Sequence, residues 1–172
     1  DAIARGILEG VAFAHEAGLV HRDLKPSNVI LAREGIRLVP RIVDFGLAKA
    51  IDIELDNATR SGAMMGTLEY MAPEQIVDSK NVDARADLYA VASMFYEALV
   101  GATPYSGANL VERHSRGVID DYLELGSLRP ELDRRMIDAV TAGLRGRIED
   151  RVPNARHARD RSSQRQRDCN IR

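Results

Sequence analysis

Cysteine is nearly missing from this 172-residue chain: Cys169 is the only one. That excludes an intrachain disulfide and a cysteine metal cluster, and a cytoplasmic, reducing setting is expected. Long hydrophobic runs are missing too, since no apolar stretch approaches the ~20 residues that a membrane span needs. The opening residues lack a basic region followed by an apolar block, so they do not read as a signal peptide. They start on Asp1 rather than Met and read as the middle of a longer chain. That longer protein is free to carry a membrane anchor elsewhere. His15, His114 and His157 have no Cys or His partner at metal-ligand spacing, and surface or packing roles are expected of them. No internal repeat is found.

What is present suits a soluble globular domain. Hydrophobic residues make up 45 % and charged residues 29 % of the chain, and the length allows one domain with a proper core. The net charge of −2 is unevenly spread. From Arg151 to Arg172, seven Arg stand against Asp160 and Asp168, so this end carries +5 and the remainder −7. A basic end can meet nucleic acid or acidic lipid. This one has no aromatics and a single large aliphatic residue, Ile171, after Val152. It reads as a solvated, disordered tail, and no nucleic-acid partner is expected.

Periodicity predicts a helix over residues 2 to 17, with Ile3, Ile7, Leu8 and Val11 on one side and Gly18 as the left-handed cap. Short strands are expected at 29–31, 38–39 and 42–43, with a turn at Glu34-Gly35; Pro40 should limit the regularity of the second. Residues 47 to 65 read as a long mobile loop. "APEQIV" suits a short helix with Pro73 in its first turn. "DARADLYAVASMFYEALVG" is the strongest helix signal, so apolar that it should form the centre of the core, ending at Gly101. Further helices are expected near 109–116 and 131–144, with Pro153 opening a last one.

Three blocks carry chemistry: "HRDLKPSN" at 21–28, "DFG" at 44–46 and "GTLEYMAPE" at 66–74. In this order and spacing they resemble the catalytic loop, metal-binding loop and activation-segment end of eukaryotic-type (Hanks-type) serine/threonine protein kinases. Lys25, two residues after Asp23, and Thr67 match the Ser/Thr branch, and the alanine-rich central helix is similar to bacterial members. The resemblance covers residues 1 to about 155. It implies a mainly α, overall α+β fold, the C-terminal lobe of a kinase domain. That lobe is a helix bundle around a central helix, with a short β-hairpin at the cleft. Residues 156–172 would be the basic tail.

Phosphoryl transfer needs little covalent help from protein; it needs phosphate charge neutralised and the attacking oxygen held in line. Hard Mg²⁺ takes oxygen ligands, and Asn28 and Asp44 offer an amide oxygen and a carboxylate. The resemblance implies that both hold Mg²⁺ bound to ATP. It implies that Asp23 orients a substrate hydroxyl and that Lys25 steadies the transferred phosphate. Asp87 would accept hydrogen bonds from the catalytic-loop backbone, and Glu74 would pair with a buried Arg, for which Arg151 is the best candidate. His21 would pack, with Phe45 completing the metal-binding loop, and Gly46 would free the backbone after Asp44. Arg22 would read a phosphate on the activation segment, for which Thr59 and Ser61 are the candidate sites.

One lobe's signature is missing. The chain holds no G-x-G-x-x-G, and Lys49, after "DFG", is misplaced for the strand lysine of the first lobe. The N-terminal lobe is therefore expected to be absent from these residues, and the chain alone to be inactive. Two functions follow. One is a protein kinase that uses ATP to phosphorylate Ser and Thr of protein substrates. The other is a truncated, non-catalytic module that binds proteins. A small-molecule phosphotransferase is disfavoured by "APE" with "GTLEY", which belong to protein docking.

Overall fold

The first helical pattern becomes α1, Ala2–Glu16, in a computed structural model that describes residues 2–45, 68–78, 81–105, 122–156 and 158. Its buried side includes Ile7, Leu8 and Val11. Gly18 follows with φ 75°. The Leu19 N–H bonds the Ala14 carbonyl at 2.9 Å and the Gly18 N–H bonds His15 at 3.0 Å, which closes a Schellman motif.

A loop and one 3₁₀ turn, Pro26–Asn28, lead into β1, Val29–Glu34. β2, Arg37–Ile42, pairs with it antiparallel, with Val29 opposite Ile42 and Glu34 opposite Arg37. Gly35 has φ 62° while Ile36 does not share the positive region, as a type II′ turn requires. The irregularity expected at Pro40 does not occur: Pro40 lies within a continuous strand, opposite Leu31. The reason is phase. A two-residue turn makes Glu34 and Arg37 a bonded pair, and bonded and non-bonded pairs then alternate. Leu31 and Pro40 fall on a non-bonded pair, so the missing N–H faces away from β1.

α1 lies against β2 through glycines. A Cβ on Gly6 would meet Pro40 Cγ at 2.6 Å, and one on Gly10 would meet Ile42 Cδ1 at 3.1 Å. Of the later elements, α2 is Pro73–Val77 and α3 is Arg85–Val100, closed by Gly101 at φ 86°. Residues 86 to 94 of α3 are all buried, so this half of the helix is wrapped on every side. The short α4, Leu125–Leu128, was not foreseen. α5, Arg134–Gly143, starts later than its periodicity suggests because Asp133 caps it, accepting from the Arg135 N–H at 2.8 Å.

Two apolar clusters flank α3. On one side Leu88, Val91 and Met94 meet Ile7, Leu8 and Val11 of α1. On the other Tyr89, Ala92 and Tyr96 meet Leu125, Ile137 and Val140 of α4 and α5. α5 crosses α3 closely, since a Cβ on Gly143 would sit 2.6 Å from that of Ala92. Helical backbone recurs at 155, 156 and 158. The loop at 47–65, the helix expected near 109–116 and the end of the basic tail lie outside the described residues. Among those described, no helix is long and apolar enough to cross a membrane.

Candidate active site

The loop after α1 is held from below by one buried acid. Asp87, in the first turn of α3, is 2 % exposed. Its Oδ2 accepts the His21 N–H at 2.9 Å and its Oδ1 the Arg22 N–H at 2.8 Å. The His15 ring adds a third partner, with Nε2 2.7 Å from Oδ2. A carboxylate at this depth would be costly without such donors. His15 therefore does more than the surface or packing role expected of it: it ties α1 to the acid that carries the loop.

His21 is buried and spans two segments. Its Nε2 donates to the Val43 carbonyl at 2.8 Å, because a carbonyl can only accept. Its Nδ1 accepts the Asp23 N–H at 3.3 Å, and its ring packs on Phe45 with centroids 4.8 Å apart. Leu24, 2 % exposed, roots the same loop in the core.

Two polar side chains, Lys25 partly exposed and Asn28 buried, gather around Asp23. Lys25 Nζ lies 2.9 Å from Asp23 Oδ2, and both side chains are about a quarter exposed, at 24 % and 26 %. Asn28 Nδ2 donates to the Asp23 carbonyl at 2.7 Å and lies 3.4 Å from Oδ2. The Val43 N–H bonds the Asn28 carbonyl at 3.0 Å. This places Asn28 and Asp44 at the same end of the hairpin. Asp44 is exposed, with φ 63°. It and Arg22, at φ 67°, are the only non-glycine residues with positive φ among those described. Such strain concentrates where surroundings over-determine the backbone.

The donor set fits Mg²⁺. Asn28 commits its NH₂ to Asp23, and no hydrogen bond from a described residue reaches its amide oxygen. The Asp44 carboxylate is open to solvent. Both are hard oxygen donors, and Mg²⁺ is often held by one or two protein groups with the rest supplied by phosphate and water. Among the described residues no cluster of three or more His, Cys, Asp or Glu forms an all-protein cage.

A second polar centre fixes α2. Arg151 grips Glu74 with two bonds, Nη1 to Oε1 at 2.7 Å and Nη2 to Oε2 at 2.6 Å. Its remaining donors reach the carbonyls of Arg145 at 2.6 Å, Arg85 at 3.2 Å and Gly146 at 3.0 Å. The guanidinium also lies 5.1 Å from the Tyr89 ring centroid. Beside it, hydrogen bonds from Arg85 lower the pKa of Asp83. Tyr70 donates to Glu97 Oε2 at 2.6 Å; burial, then that bond and the carboxylate's charge, push its phenol well above the ordinary range.

Gln75 is the residue that sequence reasoning passed over. Buried at 7 % exposure, it donates from Nε2 to the Arg22 carbonyl at 2.8 Å and accepts the Ala72 N–H on Oε1 at 3.1 Å. Its place directly after "APE" was the only available signal. Gly46, Thr59, Ser61 and Thr67 lie outside the described residues.

Residues 1–151 match the family model described as the protein kinase domain. The chain is 35 % identical over 162 residues to the serine/threonine-protein kinase PknL of Mycobacterium tuberculosis, covering 93 % of this chain and 36 % of that protein. It is 42 % identical over 110 residues to the serine/threonine-protein kinase AfsK of Streptomyces coelicolor, covering 64 % and 13 %. It is 41 % identical over 110 residues to the probable serine/threonine-protein kinase PkwA of Thermomonospora curvata, covering 64 % and 14 %. The chain thus spans about a third or less of the length of these relatives.

Proposed function

This chain belongs to the protein kinase domain family, on its bacterial serine/threonine branch, and on that premise we propose that the protein carrying it phosphorylates Ser and Thr of protein substrates with ATP. The observation that carries the reading is the grouping of Lys25 and Asn28 on Asp23, hung from buried Asp87.

Asp23 accepts a hydrogen bond from the incoming hydroxyl, orients its oxygen towards the γ-phosphorus and takes the proton late, as the new P–O bond forms and the bond to ADP breaks. Lys25, a point charge within 3 Å of that carboxylate, offsets charge on the moving phosphoryl group. Asn28 and Asp44 would hold Mg²⁺ through their side-chain oxygens, and the ion would supply charge that neutralises the phosphates. His21 and Asp87 hold the loop without touching substrate. Arg22 awaits a phosphate on Thr59 or Ser61, and phosphopeptide mapping that finds neither modified would remove that assignment.

Residues 1–155 form the second lobe of the domain, with 156–172 as a basic tail. These 172 residues hold no G-x-G-x-x-G to cover ATP, so the reading is of the protein that carries the chain and not of these residues alone. The test is a transfer assay on the full-length protein with ATP, Mg²⁺ and a protein acceptor. Label on Ser or Thr that disappears with EDTA supports the reading. Partner binding without any transfer favours the non-catalytic module.

A further inference from the structure

Arg22 is clamped at both of its peptide groups by side chains from separate elements. Its N–H bonds Asp87 Oδ1 of α3 at 2.8 Å, and its carbonyl receives Gln75 Nε2 of α2 at 2.8 Å. Between the clamps φ is 67°, a conformation that residues with a Cβ rarely adopt and that persists only when neighbours over-determine it. The Gln75 clamp acts on the peptide that leads into Asp23. The other polar group of that peptide, the Asp23 N–H, has only the longer 3.3 Å bond to His21 Nδ1. The plane of the Arg22–Asp23 peptide helps set where the Asp23 side chain points, so the bond from Gln75 restrains its aim from the peptide side, beside the contacts that Asn28 and Lys25 make with Asp23 itself.

The oxygen of the same Gln75 carboxamide is anchored as well. Oε1 accepts the Ala72 N–H at the entry to α2 at 3.1 Å, and the adjacent Glu74 is gripped by Arg151. At 7 % exposure, little water can replace a lost partner. We propose that Gln75 is a positioning residue whose side-chain amide couples the placement of α2 to the aim of the Asp23 carboxylate. Anything that shifts α2, such as a docking protein substrate, then acts on Asp23 through one side chain. The activity part of this proposal rests on the kinase reading above; the structural part does not.

Gln75→Glu separates the two bonds. It keeps the acceptor for Ala72 but sets a carboxylate oxygen against the Arg22 carbonyl. Gln75→Met removes both. In the full-length protein, Gln75→Glu should lower kcat on the order of tenfold to a hundredfold, the scale of a misplaced catalytic group, with KM for ATP within about twofold. Exchange of the Asp23 amide should speed up by about fivefold to tenfold, the worth of one buried hydrogen bond. The Asp78 amide, which caps α2 by bonding the Glu74 carbonyl, should keep its protection. Gln75→Met should show the same loss of kcat. An Asp23 amide or a kcat within twofold of the unsubstituted protein in Gln75→Glu overturns the proposal. If the unsubstituted protein transfers no phosphate, the kinase reading fails and the exchange result alone decides. If neither variant folds, scalar coupling across the bond from Gln75 Nε2 to the Arg22 carbonyl carbon decides: its detection supports the clamp and its absence refutes it.

Discussion

Replacing Arg151 by Met is expected to destabilise the domain by about 3 kcal/mol, through the charge it leaves behind. The guanidinium side chain is 0 % exposed and that of Glu74 is 22 % exposed. All five N–H groups of Arg151 have acceptors: two carboxylate oxygens and three carbonyls. Breaking a buried pair costs about 3–5 kcal/mol, and water can reach part of Glu74, which points to the lower end. With an m-value of about 2 kcal/mol/M, the urea midpoint falls by about 1.5 M. The double variant Glu74→Leu with Arg151→Met leaves no charge unpaired. It should be less destabilised than Arg151→Met alone, because an apolar replacement of a buried pair is often neutral or better. A loss below about 1 kcal/mol in the single variant, or simple additivity in the double, would refute this reasoning.

Two further outcomes follow from buried groups. Asp87→Asn keeps one acceptor oxygen where the carboxylate served three donors, so the loop N–H groups of His21 and Arg22 should exchange faster and kcat should fall by about tenfold or more. Unchanged exchange at both amides would argue against Asp87 as the support of the loop. Tyr70 has its pKa raised in the fold by burial and by Glu97, so its neutral form is favoured. Its contribution to stability is fully present below the unfolded tyrosine value of about 10 and is lost as pH climbs above it. Tyr70→Phe should flatten that alkaline loss in unfolding curves, and identical alkaline profiles would contradict the assignment.

Local signals made much of the fold legible. The spacing of Ile7, Leu8 and Val11 with Gly18 gave α1 and its cap, and the apolar breadth of 85–100 gave α3 its central place. Pro40 misled because its effect depends on the phase of strand pairing, which the turn at Gly35 sets. α4 escaped notice because four residues are too few to show a period. In the site, "HRDLKPSN" announced Asp23, Lys25 and Asn28 by short-range spacing. His15 and Gln75 gave no such signal, since their partners lie 72 and 53 residues away in sequence. Only the packing of α1 and α2 around α3 brings them to the loop.

The direct test of the central claim is γ-phosphoryl transfer by the full-length protein carrying Asp23→Asn. A carboxylate that orients the hydroxyl and takes its proton accounts for a drop in kcat on the order of 10²–10⁴ when it becomes an amide. KM for ATP should stay within about threefold, because the role proposed for Asp23 lies in the transition state rather than in holding the nucleotide. A variant that keeps more than half of the original kcat would contradict the account.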